Sequence, residues 1–205
     1  EGEIAEATPP TRDSRPHATA VIYLDFDGQS VTGTEWNTLR NVTTINAAAS
    51  TLSTNQMDEV WARVAEDFSP FHISVTTDVT RYNNAPQNRR IRVIVTPTSS
   101  WYGSAGGVAY LGSFTWTGDT PCWVFENLLG NEVKSIAEAA SHEAGHTFNL
   151  KHDGRGTSDY YYGVDNTLLS WGPIMGAGYN AAFTQWSKGE YSSATNLKDD
   201  LAILS

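Results

Sequence analysis

Apolar stretches of strand length alternate with segments of helical periodicity over residues 20–148. Runs that are rich in β-branched and aromatic residues and end at turn signals predict five strands: Val21–Phe26, Phe71–Thr77, Ile91–Thr96, Gly107–Phe114 and Cys122–Phe125. Apolar residues at a helical spacing predict two helices, one capped by Ser53 with Gln56 and ending at Pro70, the other from Glu132 to about Phe148. The order β-α-β-β-β-β-α predicts a mixed α/β domain of the α+β class.

The pattern changes after residue 152. Residues 153–205 are rich in Gly, Tyr, Asp, Ser and Trp, and they show little periodicity before a short helix predicted over Asn196–Leu204. We therefore predict one domain, 20–205, with an upper lobe at 20–152 and a smaller, irregular lower lobe at 153–205 that ends in a helix. Residues 1–19 are polar and contain Pro9, Pro10 and Pro16, which predicts a loose N-terminal arm.

Composition and charge exclude several classes of protein. Acidic residues outnumber basic ones 23 to 13, giving a net charge of −10, which argues against a nucleic-acid binder or attachment to an anionic membrane. No apolar run approaches the roughly 18 residues that would predict a membrane-spanning helix, so we expect no membrane insertion. The single cysteine, Cys122, rules out an intrachain disulfide framework, and we expect it to be a small buried hydrophobic residue.

Three of the five histidines lie in the segment HEAGHTFNLKHD, residues 142–153. On a helix, His142 and His146 differ by about 40° in direction and ~6 Å along the axis, so both imidazoles can reach one metal ion. Glu143 lies about 100° from His142. That position suits a general base that acts on a metal-bound water without binding the metal itself.

His152 can join the same ion only if the helix ends before it. In a continuing helix it would lie about 240° from His146 and ~9 Å further along the axis. Asn149 stands where the break is needed, and Asn is the commonest non-glycine residue in the left-handed conformation that ends helices. Three histidine ligands leave one position open for water, as in catalytic rather than structural zinc sites. We therefore predict one catalytic Zn²⁺ held by His142, His146 and His152.

The motif HExxHxxNxxHD resembles the signature HExxHxxGxxH of the metzincin zinc endopeptidases, with Asn149 at the usual glycine. Asp153 is similar to the Asp that follows the third histidine in the reprolysin/adamalysin branch. The segment PIMG, residues 173–176, is similar to the metzincin Met-turn, and GVAYLGS, residues 107–113, to the edge strand GLAYLGS of adamalysin-like enzymes. The resemblance covers about residues 20–180 and suggests a bacterial secreted family.

The resemblance implies an upper lobe with a twisted five-stranded mixed sheet and two helices. It implies a peptidase with Glu143 as the general base, Met175 as a platform beneath the zinc, and Asp153 as a support for the ligands. Substrate would run antiparallel to an edge strand made of Gly107, Val108, Ala109, Tyr110, Leu111 and Gly112. Some metzincins place a Tyr two residues after the Met; Tyr179 lies four residues after Met175, so a pocket or transition-state role and simple packing both stay open. The resemblance also implies a secreted monomer that acts on protein or peptide substrates.

Two other functions stay open at this point. A gluzincin-type zinc hydrolase would take its third ligand from a later Glu, and Glu190 is the only Glu after Glu143. A non-catalytic, aromatic-rich extracellular binding module would need neither Glu143 nor hydrolysis. Composition also suggests a Ca²⁺ site, without any EF-hand spacing, from four candidate ligands: Asp25, Asp27, Asp199 and Asp200.

Overall fold

The computed structural model of the chain describes residues 7–164 and 170–205. Residues 1–6 of the predicted arm and 165–169 of the predicted lower lobe lie outside the described residues. The strands are β1 (Ala20–Asp25), β2 (Gln29–Thr32), β3 (Thr44–Ala47), β4 (Ile73–Thr76), β5 (Arg90–Thr96), β6 (Gly107–Val108), β7 (Cys122–Phe125), β8 (Trp171–Pro173) and β9 (Phe183–Gln185). The helices are α1 (Glu35–Arg40), α2 (Thr54–Asp67), α3 (Val79–Asn84), α4 (Val133–Thr147) and α5 (Asp200–Leu204). Among the described residues, none of these helices has the length and apolar character needed to cross a membrane.

A five-stranded sheet in the order β4-β1-β5-β7-β6 forms the centre of the fold. β1 pairs in parallel with β4 and β5, and β5 pairs in parallel with β7. The edge strand β6 is antiparallel to β7. The predicted mixed α/β fold with a five-stranded mixed sheet is therefore confirmed. The parallel strands are almost continuously buried, because elements cover both faces of the sheet.

Helices α2 and α4 cover one face of the sheet and pack against each other. α2 begins at the predicted capping box, in which the Ser53 amide donates to the Gln56 side-chain oxygen at 2.9 Å. Its apolar residues Met57, Val60 and Val64 are fully buried. The core that these residues form also contains Ala137, Ala140 and Ala144 of α4, whose small side chains allow the two helices to pack closely.

The opposite face is covered by β2, α1 and β3, which the sequence pattern does not predict. Val31, Trp36 and Ile45 of this unit pack on Ile94 and Trp123 of the sheet. Each of the two strands is four residues long. Such short strands carry too few inward-facing apolar residues for a period-2 pattern to stand out.

The predicted strand Gly107–Phe114 is wrong beyond Val108, because only β6 at its start pairs with the sheet. The Tyr110 ring instead packs on Trp36, with 4.2 Å between ring centroids. Gly112 then adopts a φ of 72°, a left-handed conformation that breaks an extended strand. The chain leaves the sheet here and turns towards the C-terminal end of α4.

The two ends of the chain also differ from the predicted pattern. Part of the predicted loose arm is docked on β4, since the Ser14 amide donates to Val75 O and the Thr77 amide to Arg12 O, both at 3.0 Å. The C-terminal helix is present but begins at Asp200 rather than Asn196. The division of the domain into two lobes stays a prediction.

Candidate metal centre

Helix α4 carries two of the three histidines on one buried face. His142 and His146 are one turn apart, and their ring centroids lie 4.6 Å from each other. Asn149 follows the helix with a φ of 73°, the left-handed conformation that the sequence predicts there. The amide of Asn149 donates to His146 O at 2.8 Å and that of Leu150 to Gly145 O at 3.2 Å. These bonds close the last turn of the helix.

The break at Asn149 turns the chain back so that His152 meets the helix. Its Nε2 lies 3.0 Å from Nε2 of His146, and ligand nitrogens of all three histidines lie within 4.8 Å of one another. Such a group could hold a metal ion. Over residues 7–164 and 170–205, it is the only cluster of three or more His, Cys, Asp or Glu side chains that is this compact.

Backbone carbonyls orient the two helix histidines. Nδ1 of His142 lies 2.8 Å from Ile174 O, and Nδ1 of His146 lies 2.8 Å from Leu150 O. A carbonyl oxygen can only accept a hydrogen bond, so each Nδ1 carries the proton and each Nε2 keeps its lone pair for a metal. Together with His152, two imidazoles prepared in this way fit zinc and other first-row transition metals.

All three histidines are held in the neutral form that binds metals. Burial lowers the pKa of His142 to about 3 and that of His146 to about 4. Burial also lowers the pKa of His152. No proton therefore has to leave these side chains when a metal binds at neutral pH.

Glu143 places a buried carboxyl beside this cluster. Its residue surface is 7% exposed, and burial raises the pKa of its carboxyl to about 8. The β6 backbone lies directly against it: a β-carbon on Gly107 would be 2.7 Å from Glu143 Cγ and 2.8 Å from Oε1. Real β-carbons do not approach this closely, so the carboxyl can keep this position only because residue 107 is a glycine.

Met175 lies beneath α4, fully buried. A β-carbon on Gly145 would be 2.6 Å from Met175 Sδ, so the glycine between His142 and His146 gives the thioether its room. The Gly176 amide donates to Pro173 O at 3.0 Å, which forms a tight turn here. The sequence resemblance singled out Met175, but the matching glycine at 145 has no signal of its own in a helix.

Asp153 is fully buried directly after the third histidine. Its amide donates to Met175 O at 2.8 Å, and its Oδ1 accepts from Asn196 Nδ2 at 3.0 Å. Among the described residues its Oδ2 has no hydrogen-bond partner, and burial raises the pKa of the carboxyl to about 6. Asp153 therefore ties the third histidine to the turn at Met175 and to the C-terminal segment.

Tyr160 is the aromatic residue beside the histidines that sequence reasoning missed. Its ring centroid is 4.3 Å from that of His152 and 6.2 Å from that of His142. It lies in a segment without periodicity, where no pattern could single it out. Tyr179, which was singled out, is 37% exposed; burial first and the Glu143 charge second raise its pKa to about 12. The role of Tyr179 stays a prediction.

The residues predicted as a substrate strand divide into two parts. Gly107 and Val108 pair with β7 and leave their outer edge unpaired within the described sheet. The following residues bend over α4, and the Gly112 amide donates to His146 O at 3.0 Å. A cleft of about 370 Å³ opens beside the histidines. Its walls are formed by six residues: Leu111, His146, Lys151, His152, Asp159 and Thr195.

Two other candidate metal ligand sets do not come together. Glu190 has a 71% exposed side chain and pairs with Lys188 at 3.4 Å, and the compact cluster contains His152 instead. Of the candidate calcium ligands, Asp25 is paired with Arg92 and Asp199 caps α5. Calcium binding is therefore without structural support among the described residues.

Comparison of the chain with protein-family models and with curated proteins gave no match. The function of the site is therefore inferred from its own geometry and from the sequence motif.

Proposed function

We propose that the protein is a zinc-dependent endopeptidase of the metzincin type. The observation that carries the proposal is one cluster: three convergent, neutral imidazoles with a buried carboxyl next to them. His142, His146 and His152 would hold the ion, and among the described residues the cluster includes no fourth protein ligand, as is usual for catalytic zinc. When bound, zinc supplies a Lewis acid that polarises a carbonyl and lowers the pKa of a water towards ~7.

Glu143 moves the protons in this proposal. Its carboxylate oxygen takes a proton from the attacking water and then donates it to the nitrogen of the leaving amine. The pKa of about 8 describes the carboxyl without a neighbouring cation. A cation bound at the histidines would favour the ionised carboxylate by Coulomb attraction and lower that pKa, so that Glu143 could act as a base at neutral pH.

The unpaired edge of Gly107–Val108 is proposed to bind the substrate main chain as an added antiparallel strand. Gly107 of this strand lies against Glu143, so a peptide paired with the strand would pass close to the base. Only two residues of the predicted strand offer a sheet edge, and we therefore expect few main-chain hydrogen bonds on this side. From the family resemblance alone, we further propose that the protein is a secreted monomer that acts on proteins or peptides.

The substitution Glu143→Gln tests the mechanism, with Glu190→Gln as the matched control at an exposed position. Loss of general acid–base catalysis should reduce the cleavage rate of a denatured protein about 10²- to 10⁴-fold. Zinc should stay bound at one ion per chain, measured by metal analysis of the same sample. The control should keep both the activity and the metal.

A second variant, Gly107→Ala, keeps Glu143 but adds a β-carbon that would lie 2.7 Å from Glu143 Cγ and 2.8 Å from Trp123 O, so that both the carboxyl and β6 have to move. It should lower the cleavage rate while the zinc content is unchanged, because the histidines are not displaced. Full activity of Glu143→Gln would overturn the mechanism. Activity of the wild-type protein that persists after complete chelation of its metal would overturn the zinc assignment.

A further inference from the structure

The three histidines are not held in place in the same way. His142 and His146 lie on α4, and each has a backbone carbonyl on its Nδ1. His152 lies in a stretch without helix or strand. Within the described chain, its ring forms no hydrogen bond other than the contact with His146 Nε2. Some other contact has to fix the position of the third ligand.

Asn196 supplies hydrogen bonds on both sides of His152. Its Nδ2 donates to Lys151 O at 3.3 Å and to Asp153 Oδ1 at 3.0 Å, so one amide group spans the two neighbours of the ligand. The Asn196 Oδ1 accepts from the Lys198 amide at 3.2 Å. This third bond fixes which end of the amide is the donor, because a nitrogen in that place would face another N–H group.

Neighbouring residues strengthen this attachment. The Thr195 amide and the Tyr191 hydroxyl both donate to Gly154 O at 3.0 Å. Arg155 Nε donates to Ser192 O at 3.1 Å. We call residues 191–196 the C-terminal clamp. It runs alongside 151–155 and is hydrogen-bonded to it. These bonds hold the chain at His152, whereas regular helical hydrogen bonds hold the chain at the other two histidines.

We propose that Asn196 is a positioning residue for the metal centre, which sets the place of His152 by bonding to the residues on either side of it. The inference rests on the proposed zinc site, but it does not depend on peptidase activity. Outer contacts that orient a ligand typically contribute 10- to 100-fold to metal affinity. Since Asn196 acts through the backbone and Asp153 rather than on the ring, we expect an effect of about 10-fold.

The test compares Asn196→Ala, Asn196→Asp and Asn196→Gln with the neighbouring control Leu197→Ala, whose side chain is 73% exposed. Zinc affinity is measured by competition with a chromophoric chelator. Cobalt(II) serves as a second probe, because its visible absorption reports the geometry of the ligands. The unfolding free energy of each metal-free variant is measured by urea denaturation.

We expect Asn196→Ala to bind zinc about 10-fold more weakly and to shift the cobalt spectrum. Asn196→Asp should bind more weakly still, because a carboxylate cannot donate and would face the carboxyl of Asp153. Asn196→Gln should recover part of the affinity, since it keeps the amide. Leu197→Ala should match the wild type.

Unchanged affinity and an unchanged cobalt spectrum in Asn196→Ala would overturn the inference. So would a loss of stability alone, because that is the result of a merely structural contact. A wild-type protein that binds neither zinc nor cobalt would overturn both this inference and the proposed function. Normal metal binding with no hydrolysis, and with the expected variant effects, would overturn only the proposed function.

Discussion

Two regions of the molecule contribute histidines to the same cluster, and each region positions its histidines differently. In α4, the helical repeat places His142 and His146 on one face, and the helix packs firmly on α2 and the sheet. The segment 149–162 has no helix or strand. It is held by a left-handed residue at its start, by the turn at Met175 and by the C-terminal clamp.

The difference shows which histidines are positioned by the local sequence and which by contacts with distant residues. Local spacing places the two helix histidines, and each has one supporting carbonyl: Leu150 O for His146 and the more distant Ile174 O for His142. His152 depends on residues that are distant in the sequence, because Met175 and Asn196 hold its neighbour Asp153. The predictions below separate these two kinds of support.

The largest effect is expected from removal of a histidine in either region. His146→Ala and His152→Ala should each weaken zinc binding by more than about 100-fold, since changes outside the ligands already cost 10- to 100-fold. The measurement is chelator competition on the purified protein. His72→Ala, at an exposed position, is the control and should bind zinc as the wild type does.

The two histidine variants also test whether both regions are needed for zinc binding. If His152→Ala kept its zinc while Glu190→Ala lost it, the third ligand would be Glu190, and the gluzincin alternative would replace the present proposal. If only the helix histidines mattered, the segment 149–162 would have no role in metal binding.

A smaller effect is expected where the two regions touch. Gly145→Ala should reduce the free energy of unfolding by about 1–3 kcal/mol, because the new β-carbon would meet Met175 Sδ at 2.6 Å. The gain of up to ~1 kcal/mol from better helix propensity offsets part of this loss. Urea denaturation of the metal-free protein measures it.

The control for this overpacking is Gly118→Ala. A β-carbon there would have its nearest neighbour at 3.8 Å, the Thr120 hydroxyl, so its stability should stay close to that of the wild type. Equal stability of Gly145→Ala and the wild type would mean that Met175 is free to shift. In that case the turn beneath the histidines would not be a fixed platform.

The sequence was sufficient for the parts of the fold that local patterns determine. The β-branched runs identify the four parallel strands, and the helical spacing identifies α2 and α4 together with the cap at Ser53. The spacing of His142 and His146 locates the cluster without any tertiary information. The left-handed conformation of Asn149 follows from a residue preference at a helix end.

The parts that the sequence did not predict depend on contacts between distant segments. The strand predicted over Gly107–Phe114 ends early because Tyr110 packs on Trp36, which belongs to an unpredicted unit. Tyr160 packs against the histidines only after the chain folds back. The same is true of Asn196, which bonds to the residues on either side of His152. Neither residue has a periodicity or a spacing that would mark it.

The smallest effect is expected at the junction between the two regions. Asn149 has a φ of 73°, and a residue with a β-carbon and no polar side chain loses about 1–2 kcal/mol there. Asn149→Ala should therefore destabilise the metal-free protein by about 1 kcal/mol, whereas Asn149→Gly should be neutral or slightly stabilising, since glycine adopts this conformation freely.

Both are compared with Asn180→Ala, an exposed asparagine that is not among the positive-φ residues. Because the turn at Asn149 directs the chain towards His152, the Ala variant should also bind zinc more weakly than the Gly variant. Identical behaviour of the two variants would mean that the clamp alone, and not the helix end, sets the position of the third ligand.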